Sequence, residues 1–271
     1  MSTSNQDKGY INMKKLIALI AVLFSVVVPI NANANTVGSV VIIDSNFNES
    51  FISGSREVVC LYTSNCSVPQ SGKTTESMHG TIMAEVARTA NPTANLILIK
   101  AATTPTGIVN GDDFNTALSW VIANLKTKNI KSVSFARGSG AASNTSTGCM
   151  PTHHTDRNVL KAKTIVNVDL LSSSGVKVYA STGNTNKVGS LEYPACLPNV
   201  TAVTTLSRQK TDGVNEYTDI LLSAGSLKVV SLTGVNTKQV FMTTSATATL
   251  AAAMYDKISF VPNGRTRVLL P

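Results

Sequence analysis

The chain has 271 residues, 43% of them apolar and 14% charged, with a net charge of +8 at neutral pH. That length suffices for one well-buried α/β domain. The modest basic excess is spread along the chain, so no nucleic-acid partner is expected.

Met13-Lys14-Lys15 precedes a mainly apolar run, Leu16 to Ile30, and then Asn31-Ala32-Asn33-Ala34. Two lysines, a short apolar stretch and an Ala-x-Ala end predict a secretory signal peptide cut after Ala34. Residues 1–12 read as a polar lead-in or an upstream start. The expected division is therefore 1–34 as lead-in and signal, and 35–271 as one domain of 237 residues with net charge +6. No later segment is long and apolar enough to span a membrane, so none is expected to anchor the mature chain. Localisation is expected to be secreted or periplasmic. Cys60, Cys66, Cys149 and Cys196 all lie in the exported part, and an even count there predicts two disulfides. The favoured pairing of the three available is Cys60–Cys66 with Cys149–Cys196. No CxxC spacing supports zinc.

Val40-Val41-Ile42-Ile43 is a β-branched run ending at Asp44, which predicts a central parallel strand with a carboxylate at its carboxyl end. Residues 48–76 show little periodicity and read as a polar connection. Gly72-Lys73-Thr74 lacks the upstream glycine and strand of a phosphate loop and is rejected. Ser77-Met78-His79-Gly80-Thr81 opens a helix with Ile82, Met83, Val86, Ala87 and Ala90 spaced three and four apart. Ala94–Lys100 is a strand. A helix from Asp112 carries Phe114, Ala117, Leu118 and Val121 on one face. Ile130–Ala136 is a strand, 155–171 a helix, and Gly175–Ala180 a strand turning at Ser181-Thr182-Gly183-Asn184. Val200–Leu206 and parts of 217–233 complete the strands. Phe241 to Tyr255 carries no charge and is mostly small, which predicts a buried helix with Ser245 in its first turn. Alternating strands and helices predict an α/β three-layer sandwich, a mainly parallel sheet flanked by helices.

In chain order stand a carboxylate at a strand end, an imidazole near a helix start, an amide after a strand and a hydroxyl at a buried helix start. Acyl transfer needs these types: a nucleophile, a base to take its proton, a carboxylate to orient the base and a donor for the oxyanion. The plainer reading of Ser245 is an N-cap. His153-His154 near Asp156 could be read as a metal site, but paired loop histidines are commoner, so no metal is assigned. No GxSxG occurs, which sets aside an α/β-hydrolase esterase.

Val41-Ile42-Ile43-Asp44-Ser45, His79-Gly80-Thr81 with Ala84, Gly175 to Asn184, Tyr193-Pro194-Ala195, and Thr244-Ser245 with its small-residue helix together resemble the subtilisin-like (S8) serine proteases. The resemblance spans residues 37–258. It implies Ser245 as nucleophile, His79 as general acid and base, Asp44 as orienting carboxylate and Asn184 as oxyanion donor. It makes Ser134-Phe135-Ala136 the strand that pairs with an extended peptide. It puts Glu192 at the floor of the pocket for the residue before the scissile bond, where a carboxylate favours Lys or Arg. A solvated loop glutamate is the alternative. Tyr193-Pro194 is expected to be cis on the same analogy. The resemblance also implies a peptide or protein substrate, a monomer and no required cofactor. Structural calcium is compatible with the family, but no site is identifiable.

Several positions depart from the family pattern. Asn46 stands for Gly, and tolerates positive φ. Glu85 stands for Gly, and needs room. Thr243 stands for Gly, Thr249 for Pro, and Ala136-Arg137 for a Gly pair. Only residues 35–43 separate the signal from Asp44, where family members carry a folding-assisting pro-segment. A subtilisin-fold binder of peptides or partners, with weak or lost catalysis, is the competing expectation.

Overall fold

The computed structural model describes residues 37–62, 75–103, 109–136, 148–151, 156–183, 191–205, 220–222, 244–256 and 266–268. Residues 37–271 form one compact unit. Eight strands, β1 (Ser39–Asp44), β2 (Arg56–Cys60), β3 (Asn95–Lys100), β4 (Ile130–Phe135), β5 (Lys177–Ser181), β6 (Val200–Thr205), β7 (Ile220–Leu222) and β8 (Thr266–Val268), form one sheet. Its order is β2-β3-β1-β4-β5-β6-β7-β8, and every pairing is parallel. Among the described residues, four α-helices accompany it: α1 (Thr75–Ala90), α2 (Gly111–Asn124), α3 (Arg157–Ser173) and α4 (Thr244–Ala253).

The unbroken apolar run of β1 has a simple cause. Val41 and Ile43 face a core completed by Phe114 and Leu118 of α2 and Val168 and Leu171 of α3. Val40 and Ile42 face a second core with Met83 and Ala87 of α1 and Ala248 and Ala251 of α4. All four strand residues are fully buried, each worth about 1.5–3 kcal/mol. Both faces of the sheet are thus covered, as a parallel sheet requires. The three-layer arrangement expected from the alternation of elements is the one observed.

Helix ends follow local chemistry. Asn110 and Asp113 form a capping box at α2, and the Asp156 carboxylate accepts the Val159 N–H at α3. Three features differ from expectation. β2 lies within the stretch read as a connection; it is an edge strand, half-exposed, so no clean alternation marks it. Helix α1 begins at Thr75, which places His79 one turn in. The short β8 has no counterpart among the expected strands.

Candidate active site

Chain order reverses around β1, which pairs with β3 on one side and β4 on the other. Crevices at the carboxyl ends of strands collect functional groups at such a switch point. The pleat then fixes direction. Residues 40, 42 and 44 of β1 share a face, so Asp44 points towards the α1 and α4 layer.

Asp44 is fully buried. Its Oδ1 accepts the Ser45 backbone N–H at 2.7 Å, and its Oδ2 lies 2.6 Å from His79 Nδ1. A carboxylate only accepts, so Nδ1 carries a proton, and in the neutral imidazole the lone pair then lies on Nε2. The next two residues of α1 hold this geometry. A Cβ on Gly80 would lie 2.2 Å from the Asn46 carbonyl oxygen, so only glycine lets the helix approach the β1 loop so closely. Thr81 Oγ1 accepts the Asn48 N–H at 2.8 Å. Each residue of His79-Gly80-Thr81 therefore meets Asp44 or the loop after it.

Two departures from the family pattern find physical explanations. Asn46 does not adopt positive φ; among the described residues only Asn129 and Asn199 do so without being glycine. Its Oδ1 instead accepts the Phe47 N–H at 2.8 Å. Glu85 has room because the 52–55 loop uses it: its Oε1 accepts the Ser53 N–H at 2.8 Å. Lys100, next to Asp44 in the ladder, reaches Glu49 Oε1 at 2.8 Å and ties down the turn beyond it.

Ser245 is buried in the first turn of α4, and its hydroxyl donates to the Ala136 carbonyl. No hydrogen bond joins it to His79 among the described residues. Ser134 and Phe135 lie between β1 and β5, paired on both sides. Their side chains are also occupied: the Ser134 hydroxyl meets Thr249, and the Phe135 ring packs 4.2 Å from that of Phe114, centroid to centroid. Of the expected substrate strand Ser134-Phe135-Ala136, the first two backbones are enclosed by the sheet, and the carbonyl of the buried Ala136 accepts from Ser245.

Glu192 is 9% exposed, which removes the solvated-loop alternative. Its N–H donates to the Thr182 carbonyl at 3.2 Å. Its carboxyl carbon sits 2.1 Å from where a Cβ on Gly183 would be, and Gly183 has φ +91. The carboxylate thus rests on the glycine backbone at the end of β5. Tyr193-Pro194 is cis. Tyr193 is fully buried, its hydroxyl bonded to Thr164 Oγ1, and burial pushes its phenol up to about 12.

Cys149 and Cys196 are joined, with Cα atoms 5.7 Å apart. Cys60 is also disulfide-bonded. Cys66, Arg137, His153, His154, Asn184 and Thr243 lie outside the described residues. Among the described residues, no three His, Cys, Asp or Glu side chains converge on a metal-sized site. No helix among them is long and apolar enough to cross a membrane.

Sequence reasoning missed the polar contacts under α4. Ser132 and Ser134, small polar residues at alternate positions of an otherwise apolar strand, were the available signal.

No protein-family model matches the chain, and no curated protein matches it. Solved structures do. They include a lanthipeptide protease (TM-score 0.57, 14% identity, 80% of this chain and 71% of that one). A cold-adapted subtilisin-like serine proteinase has TM-score 0.53 and 16% identity over 83% of this chain and 76% of that one. The PatG macrocyclase in complex with peptide has TM-score 0.51 and 14% identity over 81% and 77%. At such identities the likeness speaks for architecture alone. The chain has the subtilisin-like fold.

Proposed function

We propose that this chain is a secreted or periplasmic serine endopeptidase that cleaves extended peptide segments through an acyl-enzyme. The observation that carries this reading is the buried Asp44 carboxylate accepting from His79 Nδ1 at 2.6 Å at the carboxyl end of β1, next to β4, past whose end Ala136 accepts from Ser245. In the reaction, the Ser245 hydroxyl rotates from Ala136 towards His79 Nε2 and gives up its proton as its oxygen attacks the carbonyl carbon. The tetrahedral oxyanion is held by the Asn184 side-chain amide and the Ser245 N–H. Losing one such donor typically costs about 3 kcal/mol. His79 then protonates the leaving amine, and water resolves the ester by the same path reversed. No cofactor enters these steps.

Glu192 gives the site a preference for Lys or Arg before the scissile bond. Its buried carboxylate on Gly183, beside the residue assigned to the oxyanion, supports this. Matched Lys and Leu reporter peptides test it: the Lys peptide is cleaved faster, and Glu192→Gln removes the difference. Equal rates in the parent protein end the idea. The signal-like start, the Cys149–Cys196 bond and neighbouring structures that handle peptides support export and a peptide substrate.

A second reading, a peptide-binding protein that no longer turns over, draws on the Ser245 hydroxyl being bound to Ala136 instead of His79. A fluorophosphonate probe separates the two. Purified oxidised protein is labelled and Ser245→Ala is not, if the peptidase reading holds; unlabelled protein with an intact fold favours the binder.

A further inference from the structure

Three residues of α4 meet three alternate residues of β4 and its end, in opposite order. The Ser245 hydroxyl bonds the Ala136 carbonyl, Thr249 Oγ1 lies 3.0 Å from Ser134 Oγ, and the Ala252 carbonyl accepts Ser132 Oγ at 2.7 Å. The first two rungs are in step, because four helical residues rise about 6 Å while two strand residues span about 6.6 Å. Both bonds of the middle rung are made at once when Thr249 donates its one proton to the Ser245 carbonyl at 3.1 Å and accepts from Ser134. Both residues are fully buried, so neither has water to replace a lost partner.

Resting on the acyl-transfer reading, we propose that Thr249 and Ser134 are positioning residues that fix the axial placement of Ser245. The other α4 side chains described in the core are alanine and leucine, whose contacts are non-directional, and one further hydrogen bond, from Asn91 Nδ2 to the Ala253 carbonyl at 3.1 Å, holds the far end of the helix. The first rung cannot hold the helix during reaction, because the Ser245 hydroxyl must leave Ala136 to reach His79. Directional placement then rests on the second and third rungs and on Asn91, and of these only the Thr249 rung reaches the first turns of the helix. Thr249, where the resembling family has proline, ties the backbone of the nucleophile itself to the strand.

The test is the inactivation rate by a fluorophosphonate, resolved into its limiting rate and its half-saturating concentration. Thr249→Val keeps the shape and removes the hydroxyl. Its limiting rate falls about tenfold, the kinetic equivalent of one hydrogen bond of ~1.4 kcal/mol, while half-saturation stays within about twofold. Thr249→Ser restores the rate. The pair Ser134→Ala and Thr249→Val together lose no more than Thr249→Val alone, as partners in one bond should. Should Thr249→Val fail to fold, Ser134→Ala and Thr249→Ser carry the same comparison. A parent protein that labels with an equally fast Thr249→Val, or a Thr249→Ser that does not recover, overturns this proposal alone. A parent protein that never labels removes the acyl-transfer reading and this proposal with it.

Discussion

Replacing Gly80 by alanine sets two physical expectations against each other. Helix propensity alone favours the change by about 1 kcal/mol, because alanine loses less backbone freedom than glycine. The packing opposes it. The new Cβ would lie 2.2 Å from the Asn46 carbonyl and 3.1 Å from the Phe47 ring, where less than 3.0 Å forces a shift. Backbone supplies the closest atom, so α1 must retreat by about 1 Å, and overpacking of this kind costs ~1–3 kcal/mol. His79 moves with the helix. Its 2.6 Å contact with Asp44 then lengthens to about 3.6 Å, beyond hydrogen-bond range. A misplacement of that size lowers turnover about 100-fold. Thermal melting and fluorophosphonate labelling of Gly80→Ala read the two consequences separately, and both should fall. A variant that melts at or above the parent temperature and labels at the parent rate would show that the close approach of α1 to the β1 loop is not what holds the imidazole.

Two further expectations concern stability. The Cys149–Cys196 bond closes a loop with a sequence separation of 47, for which chain entropy predicts about 4 kcal/mol. Urea unfolding of the Cys149→Ser, Cys196→Ser double variant should show a loss of that order, and a loss under about 1 kcal/mol would contradict it. Tyr193 is neutral in the fold well past its ordinary 10.0, so its contribution is intact below pH 10 and drains away from there towards about 12. The loss is about 1.4 kcal/mol per pH unit across that window, because the unfolded phenol ionises first. Urea midpoints at pH 9 and pH 11 should therefore converge in Tyr193→Phe relative to the parent; an unchanged gap would exclude Tyr193 as the cause.

The central sheet could be read from the chain because strands buried on both faces leave runs such as Val40-Val41-Ile42-Ile43 that have few other uses. The edge could not. Arg56-Glu57-Val58-Val59-Cys60 is half-exposed, and only the neighbouring β3 makes it a strand. The positions of Asp44, His79 and Ser245 along their elements were visible as residue types in a telling order. What each touches was not: Glu85 gave no hint of Ser53, and Thr249 none of Ser134, since both partners are far along the chain. Long-range polar pairs leave no periodic trace.

The alternation of β1 and β4 between two cores has a consequence for how such a chain can change. Asp44 and Ala136 meet the same helical layer only because each strand keeps its phase, and inserting one residue ahead of either would turn it towards Phe114 and its neighbours. Letters in these strands can be exchanged for others of similar bulk, whereas their count cannot. An architecture held by phase in this way can outlast almost all of its spelling, which is how 14% identity and a common sheet coexist.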